Sequence, residues 1–146
     1  MAISRPTTKT KISTTEWGWP ITDAVNANST DIAALKAATA VTAWVNCTMQ
    51  NGWVAYSVAP AYRKVGDIVY LRGNANGGTK NTVVFTLPVG FRPVAAANYI
   101  IYQWPSVPSS CFASTATNGT VTVDMINNAA GNPQYPSFDS IFFSTI

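Results

Sequence analysis

The chain contains no histidine, and charged residues make up only 10% of its 146 residues, where an ordinary soluble domain has roughly 25%. The absence of histidine excludes a histidine general base, a Ser-His-Asp or Cys-His nucleophile and a histidine-bound metal within one chain. The two cysteines, Cys47 and Cys111, lack the Cys-x-x-Cys spacing of zinc and redox motifs. They could form a disulfide or remain two buried free thiols, and the sequence favours neither arrangement.

Recognisable catalytic motifs are missing as well. The six carboxylates are spread along the chain, and no two of them are placed like a general acid and base. There is no Gly-x-Ser-x-Gly motif. The segment Gly77-Gly78-Thr79-Lys80 lacks the preceding glycine of a phosphate-binding loop and is predicted to be a hairpin turn. We therefore expect no enzymatic activity, no cofactor and no metal site.

The charge and hydropathy patterns also argue against nucleic-acid binding and membrane insertion. The net charge of +3 comes from nine Lys and Arg against six Asp and Glu, and the cations cluster only weakly, at Arg5, Lys9 and Lys11. No run approaches the length of about 18 apolar residues that marks a membrane span. The N-terminus lacks the apolar core of a signal peptide, which predicts synthesis in the cytoplasm.

Three zones follow one another along the chain. Residues 1–19 are rich in Thr, Ser and Lys and are predicted to form an extended arm that ends with Trp17 and Trp19. These two rings either anchor the arm in a docking partner or pack under the start of the next element. Residues 20–40 are rich in Ala, with Pro20 suited to a first turn, and are predicted to form an α-helix.

The predicted helix carries a seam with heptad-like spacing. Its members are separated alternately by four and three residues, and its one polar member is typical of a position that fixes register in a coiled coil. The seam indicates either a helix that associates with copies of itself or an amphipathic helix packed on its own domain. Its members are Ile21, Val25, Asn28, Ile32 and Leu35.

Residues 41–146 change to the two-residue period that is typical of β-strands. In the segment Thr120–Ile126, Val121, Val123 and Met125 alternate with polar residues and are predicted to point inward. Short segments of this kind, separated by turn sequences, predict seven or eight antiparallel strands. The fold class is therefore mainly β, with a β-sandwich or jelly-roll-like head domain over residues 41–146.

Two segments of this zone, Tyr99–Tyr102 and Ile141–Phe143, are apolar on both faces. Because one face of an antiparallel strand usually meets solvent, we expect a cover from a loop, from the helix or from a neighbouring subunit. Aromatic residues beside the proline-rich loops are candidates for contact with a sugar or protein ligand, with packing in the core or at its rim as the alternative. They are Tyr102, Trp104 and Tyr135.

A family resemblance rests on three sequence elements in a fixed order. They are Tyr62–Gly73, Gly77-Gly78-Thr79 and Thr86-Leu87-Pro88-Val89-Gly90-Phe91-Arg92-Pro93. Within the third, the part from Leu87 to Pro93 is the most specific. This order resembles the C-terminal β domains of fibre and minor tail proteins from bacteriophages of Gram-positive bacteria. The resemblance implies a homotrimer with a short coiled-coil stem and a β head, attached to the virion by its N-terminus. It also implies that Gly66, Pro88 and Gly90 are turn residues and that Phe91 belongs to the core.

On this resemblance, we expect a phage virion structural protein, exposed on the particle as a trimeric tail-tip or fibre knob that binds a cell-wall glycan of the host. The helix seam would form the trimer, and residues 1–19, with Trp17 and Trp19, would dock to the tail tip, baseplate or capsid. Tyr102, Trp104 and Tyr135 would contact the ligand. The alternative is a capsid decoration or head-fibre protein with a structural role. A third class, an envelope-degrading enzyme, is opposed by the missing histidine and the sparse carboxylates.

Overall fold

The computed structural model of the protein describes residues 19–104, 110–126 and 130–146, with side chains from residue 23 onward. The chain divides into two units after Ala37. The described part of the first unit is an α-helix. The second unit, named the β domain, holds two antiparallel β-sheets.

Helix α1 covers Trp19–Ala38, close to the range predicted from the sequence. Alanine favours the helical backbone, and Lys36 lies in the last turn, where a positive charge interacts favourably with the helix dipole. The hydroxyl groups of Ser29 and Thr30 donate hydrogen bonds to backbone carbonyls one turn earlier. Every helix side chain from residue 23 onward is exposed, so the apolar side chains of α1 that the structure describes remain in contact with solvent.

Among the described residues, eight strands form the β domain, which agrees with the predicted seven or eight. They are β1 (Val45–Asn46), β2 (Val54–Val65), β3 (Ile68–Asn76), β4 (Val83–Thr86), β5 (Ala97–Tyr102), β6 (Ser110–Thr115), β7 (Thr120–Met125) and β8 (Phe142–Ser144). The first sheet has the strand order β1-β2-β3-β8, and the second has the order β4-β7-β6-β5. All pairings within both sheets are antiparallel.

The β6–β7 hairpin shows how sequence alternation produces this architecture. Val121, Val123 and Met125 are buried while the polar residues between them face outward, as predicted. The turn between the strands is held by the Asn118 side chain, whose oxygen accepts hydrogen bonds from the backbone N–H and the hydroxyl of Thr120. Local turn chemistry and the period-two pattern therefore fix the same register.

The hydrophobic core lies between the two sheets and takes side chains from both. Phe85 of β4 packs edge to face against Phe138, with the ring centroids 5.2 Å apart, and both side chains are fully buried. Cys111 belongs to this core and Cys47 packs against it, and both are free thiols. The predicted fold class, an antiparallel β-sandwich preceded by one helix, is confirmed.

The segment Gly77–Lys80 is not a hairpin turn, and the prediction made for it was wrong. It follows β3 of the first sheet and leads to β4 of the second, so it crosses from one sheet to the other. A Cβ atom on Gly78 would overlap the indole ring of the buried Trp53. The missing side chain of Gly78 therefore lets the crossing segment pass directly over the core.

The element Leu87–Pro93 forms a turn after β4. The N–H of Phe91 donates to the carbonyl of Pro88 at 3.1 Å, and Nε of Arg92 donates to the carbonyl of Leu87 at 3.0 Å. Phe91 is partly buried, packs against the core and lies edge to face with Tyr62 at 4.8 Å. These positions agree with the turn and core roles that the family resemblance implied.

Strands β5 and β8 each have one buried and one exposed apolar face. Ile101 and Phe143 are buried, whereas Ile100 is 68% exposed and Phe142 is 60% exposed. No loop among the described residues of the β domain covers these two side chains, and a cover from the helix stays a prediction. A neighbouring subunit as the cover stays a prediction.

Candidate functional site

Three aromatic side chains lie together at one edge of the β domain. The rings of Tyr56 and Tyr135 are 4.2 Å apart between centroids, and the ring of Trp104 lies 6.1 Å from that of Tyr135. Trp104 is 55% exposed, Tyr56 is exposed and Tyr135 is half-buried. This trio, named the aromatic cluster, offers a broad apolar surface with two phenol groups.

A buried glutamine holds two of the segments that carry the aromatic cluster. Gln103 is completely buried, and its side-chain oxygen accepts a hydrogen bond from the N–H of Gln134 at 3.1 Å. Its side-chain nitrogen donates to the carbonyl of Ser110 at 3.2 Å. Because Gln103 precedes Trp104 and Gln134 precedes Tyr135, these bonds fix the two rings on neighbouring backbones.

An irregularity in β2 places the third ring. The register of β2 against β3 shifts between Tyr56 and Ala61, and Ser57 has a positive φ of 50°. Gly73 of β3 has a φ of 93°, and a Cβ atom there would collide with the backbone of Ala59 in the displaced part of β2. Tyr56 pairs with Asn74, which also bridges to Ser137. The irregular strand therefore brings Tyr56 beside the segment of Tyr135.

The structure brings together two of the three residues predicted to contact a ligand. Trp104 and Tyr135 are neighbours, whereas Tyr102 is 55% exposed on the outer face of the second sheet and makes no ring contact with them among the described residues. Its carbonyl accepts a hydrogen bond from the N–H of Ser137, so its backbone supports the cluster. Tyr56 was missed because β2, with its register shift, was not predicted from the sequence.

The outer face of the second sheet carries a shallow polar groove around Phe112, with a volume of about 200 Å³. Within it, the hydroxyl of Ser114 donates to the side-chain oxygen of Asn98 at 2.6 Å, and Asp124 accepts a hydrogen bond from the N–H of Met125. An aromatic side chain among amides, hydroxyls and one carboxylate can bind a polyhydroxylated ligand. The lining residues are Asn81, Asn98, Phe112, Ser114, Thr122 and Asp124.

A second arrangement of aromatic and polar groups lies on the outer face of the first sheet. The guanidinium carbons of Arg63 and Arg72 are 4.7 Å and 4.3 Å from the ring centroid of Trp44. Nε of each arginine is buried and has no hydrogen-bond acceptor in the part of the chain that the structure describes. No sequence motif marks these three residues, because their contact joins three separate segments of the chain.

The structure describes some of the predicted interface and docking residues fully and others only in part. Val25, Asn28, Ile32 and Leu35 are exposed on α1. Trp19 and Ile21 belong to α1, and the structure describes their backbone but not their side chains. Trp17 lies outside the described residues. The trimer interface and the virion-docking arm stay predictions.

The described residues hold no cluster of three or more metal-ligating side chains. Nor does the described helix have the length and hydropathy to cross a bilayer. Burial raises the pKa of the Cys47 and Cys111 thiols to about 12, so both are protonated at neutral pH. Protonated, buried thiols are poor nucleophiles.

No protein-family model and no curated protein matches the chain. A search of solved structures finds the crystal structure of the head domain of phage bIL170, presented among the receptor binding domains of lactococcal phages. The two structures superpose with a TM-score of 0.54 at 17% sequence identity, over 71% of this chain and 98% of the phage head domain. The resemblance to a phage β head that the sequence predicted is thus confirmed for the fold, and this chain shares the fold of that head domain.

Proposed function

We propose that the protein is a bacteriophage virion component whose β domain binds the surface of the host cell, with a cell-wall glycan as ligand. The observation that carries the proposal is the exposed aromatic cluster on a domain with the fold of the bIL170 head. That head is described as a receptor binding domain, and the same role is inferred for this chain. The protein acts by binding, without catalysis.

The chemistry of the aromatic cluster suits a carbohydrate. Trp104 presents a large apolar face to solvent, and such a face packs against the C–H groups of a sugar ring. The hydroxyl groups of Tyr56 and Tyr135 can hydrogen-bond to sugar hydroxyls at the edge of the same surface. The polar groove on the outer face of the second sheet supplies further amide and hydroxyl groups, so a chain of several sugars would have more than one place to bind.

The exposed helix supports the proposed trimer. Val25, Ile32 and Leu35 are between 52% and 65% exposed, although all three belong to the heptad-like seam. Most of the stability of a helix in a protein comes from the packing of its apolar face, so α1, with 20 residues, would gain stability from a partner along the seam. Three copies packed along the seam would bury these side chains, with Asn28 fixing the register. Residues 1–19 would then attach the trimer to the virion through Trp17 and Trp19.

The ligand site is tested by a Trp104→Ala variant. Binding of the labelled protein to host cells is expected to fall roughly tenfold, because removal of a central aromatic contact typically costs more than 1 kcal/mol. Flow cytometry over a panel of Gram-positive strains measures this binding. Val89→Ala, which truncates a side chain that is 80% exposed outside the cluster, is the matched control and should bind as the wild type does.

Two results would contradict the proposal. If Trp104→Ala binds host cells as tightly as the wild type, then the aromatic cluster is not the ligand site. If the wild-type protein is present in virions but binds none of the cells that those virions infect, then a structural decoration is the better description of its role.

A further inference from the structure

We propose that Trp44, Arg63 and Arg72 form a binding site for an oxyanion, a phosphate or carboxylate group carried by the ligand of the β domain. The site lies on the outer face of the first sheet. The nature of the carrier rests on the proposed function, since the host-surface glycan would bear the group. The oxyanion site itself is a separate claim about three side chains and can be tested on the protein alone.

Strand register places the two arginines on one face. Arg72 of β3 pairs with Ala61 of β2, and Arg63 lies two residues further along β2, so the side chains are diagonal neighbours. The segment before β1 runs antiparallel to β2, with Thr42 bonded to Lys64 and Val45 paired with Tyr62. Trp44 therefore lies opposite Arg63 and can contact both guanidinium groups.

The charges of this site are not neutralised within the described chain. The salt bridge found among the described residues joins Lys64 to Asp67, at 3.9 Å, and involves neither arginine. Both guanidinium carbons lie within 4.7 Å of the Trp44 ring centroid, so two positive charges share one small region of the surface and repel. A bound anion would turn this repulsion into two attractive interactions.

Hydrogen bonding points to the same ligand chemistry. Buried polar atoms in proteins nearly always have partners, yet Nε of Arg63 and of Arg72 has none among the described residues. Because both Nε atoms are shielded from solvent, an anion would bind through the terminal nitrogens of the two guanidinium groups. Nε of Arg92, in contrast, donates to the carbonyl of Leu87. The flat fork of donors on a guanidinium matches the oxygens of phosphate and carboxylate, and stacking on Trp44 holds both forks in place before a ligand arrives.

A second copy of the β domain is a poor source of the anion. Its described carboxylates are Asp67, Asp124 and Asp139, and each is already engaged. Asp67 pairs with Lys64, Asp124 accepts from the N–H of Met125, and Asp139 accepts from the N–H of Gly73 and the hydroxyl of Ser137. The described carboxylates of the β domain are therefore already engaged, and we assign the anion to a ligand rather than to Asp23 or Asp31 of α1 in a second copy.

The site is tested by nuclear magnetic resonance on the full chain labelled with ¹⁵N. Inorganic phosphate and acetate are added in separate titrations at constant ionic strength, and the arginine Nε–H signals are followed. Saturable shifts of the Arg63 and Arg72 signals are expected with at least one anion, while the Arg92 signal stays in place. A response to phosphate alone identifies a phosphate group as the ligand, and a response to acetate alone identifies a carboxylate group.

Substitutions complete the test. Arg63→Gln and Arg72→Gln should each weaken anion binding roughly tenfold, about the effect of one lost charge-assisted hydrogen bond. Lys80→Gln removes the same charge from the segment that follows β3 and should leave binding unchanged. Where a glutamine variant fails to fold, Arg63→Lys and Arg72→Lys keep the charge without the fork and should still bind severalfold more weakly.

The two proposals fail in different ways. Shifts that do not saturate, or that appear equally at Arg92, mean charge screening only and overturn the oxyanion site. Lysine variants that bind as the wild type does overturn it too. If the protein binds host cells but the Arg63 and Arg72 signals respond to neither anion, then the oxyanion site is wrong and the proposed function stands. If the protein binds phosphate but no host cell, then the proposed function is wrong and the oxyanion site stands.

Discussion

Helix α1 and the β domain differ in the solvent exposure of their apolar side chains. Val25, Ile32 and Leu35 of the helix are all more than half exposed, whereas Phe85 and Phe138 of the β domain are completely buried. The two sheets of the β domain share one core, which buries the apolar side chains of both inner faces. The helix has no such core, so its apolar seam is expected to find its partner in another subunit.

The largest expected effect concerns the helix. Ile32→Asp places a charge in the proposed seam, which three packed copies cannot bury, and should convert a trimer into a monomer. Light scattering at micromolar concentration measures the particle mass, which should fall threefold. Ala34→Asp adds the same charge on the opposite side of α1 and should leave the trimer intact. If the wild-type protein is monomeric, or if the trimer persists in Ile32→Asp, then the seam of α1 does not form a trimer interface.

The next largest effect tests the core. Phe138→Ala should destabilise the β domain by about 3–5 kcal/mol, because it removes a fully buried ring and leaves a cavity beside Phe85. Urea unfolding followed by tryptophan fluorescence gives the change. Phe142→Ala truncates a ring that is 60% exposed and should cost less than about 1 kcal/mol in the separated monomer. Equal losses for the two variants would mean that the core is not where the structure places it.

A smaller effect is expected from pH. Burial raises the pKa of the thiols of Cys47 and Cys111 to about 12, and burial followed by the charge of Cys47 raises the pKa of Tyr62. The folded state therefore keeps these protons at a pH where the unfolded chain has lost them. Their contribution to stability is complete below pH 9 and declines as the pH rises toward 12.

The urea midpoint of unfolding should accordingly fall between pH 9 and pH 11. The double variant Cys47→Ala, Cys111→Ala should show a shallower fall than the wild type over the same interval, whatever its stability at pH 8. An equally steep fall in the double variant would show that other groups govern the alkaline loss. The difference between the two proteins reports on the β domain, since α1 contains no cysteine.

The sequence predicted the parts of the fold that depend on local pattern. The alternation of β7 and the alanine-rich composition of α1 each correspond to one element with nearly the predicted bounds. Strand β2 was missed because its register shift near Ser57 breaks the two-residue period. Gly77–Lys80 was misread because a turn within one sheet and a crossing between two sheets use the same residues. Which of the two forms depends on contacts with Trp53, which lies far away in sequence.

The candidate sites were predicted less completely than the fold. Trp104 and Tyr135 could be proposed because aromatic residues stood beside proline-rich loops, and the structure makes them neighbours. Their link to Tyr56, and the contact of Trp44 with Arg63 and Arg72, depend on strand pairing that single-residue patterns do not reveal. Burial of Gln103, a polar residue with no special sequence context, was equally invisible before the structure.

The register shift in β2 has an immunological consequence. Tyr56, Trp104 and Tyr135 come from three distant parts of the chain, so the aromatic cluster is a discontinuous epitope that exists only in the folded protein. No synthetic peptide copied from a single stretch of this sequence contains it. Antibodies that block the cluster must therefore be raised against the intact β domain, and they will lose their target when the antigen is denatured.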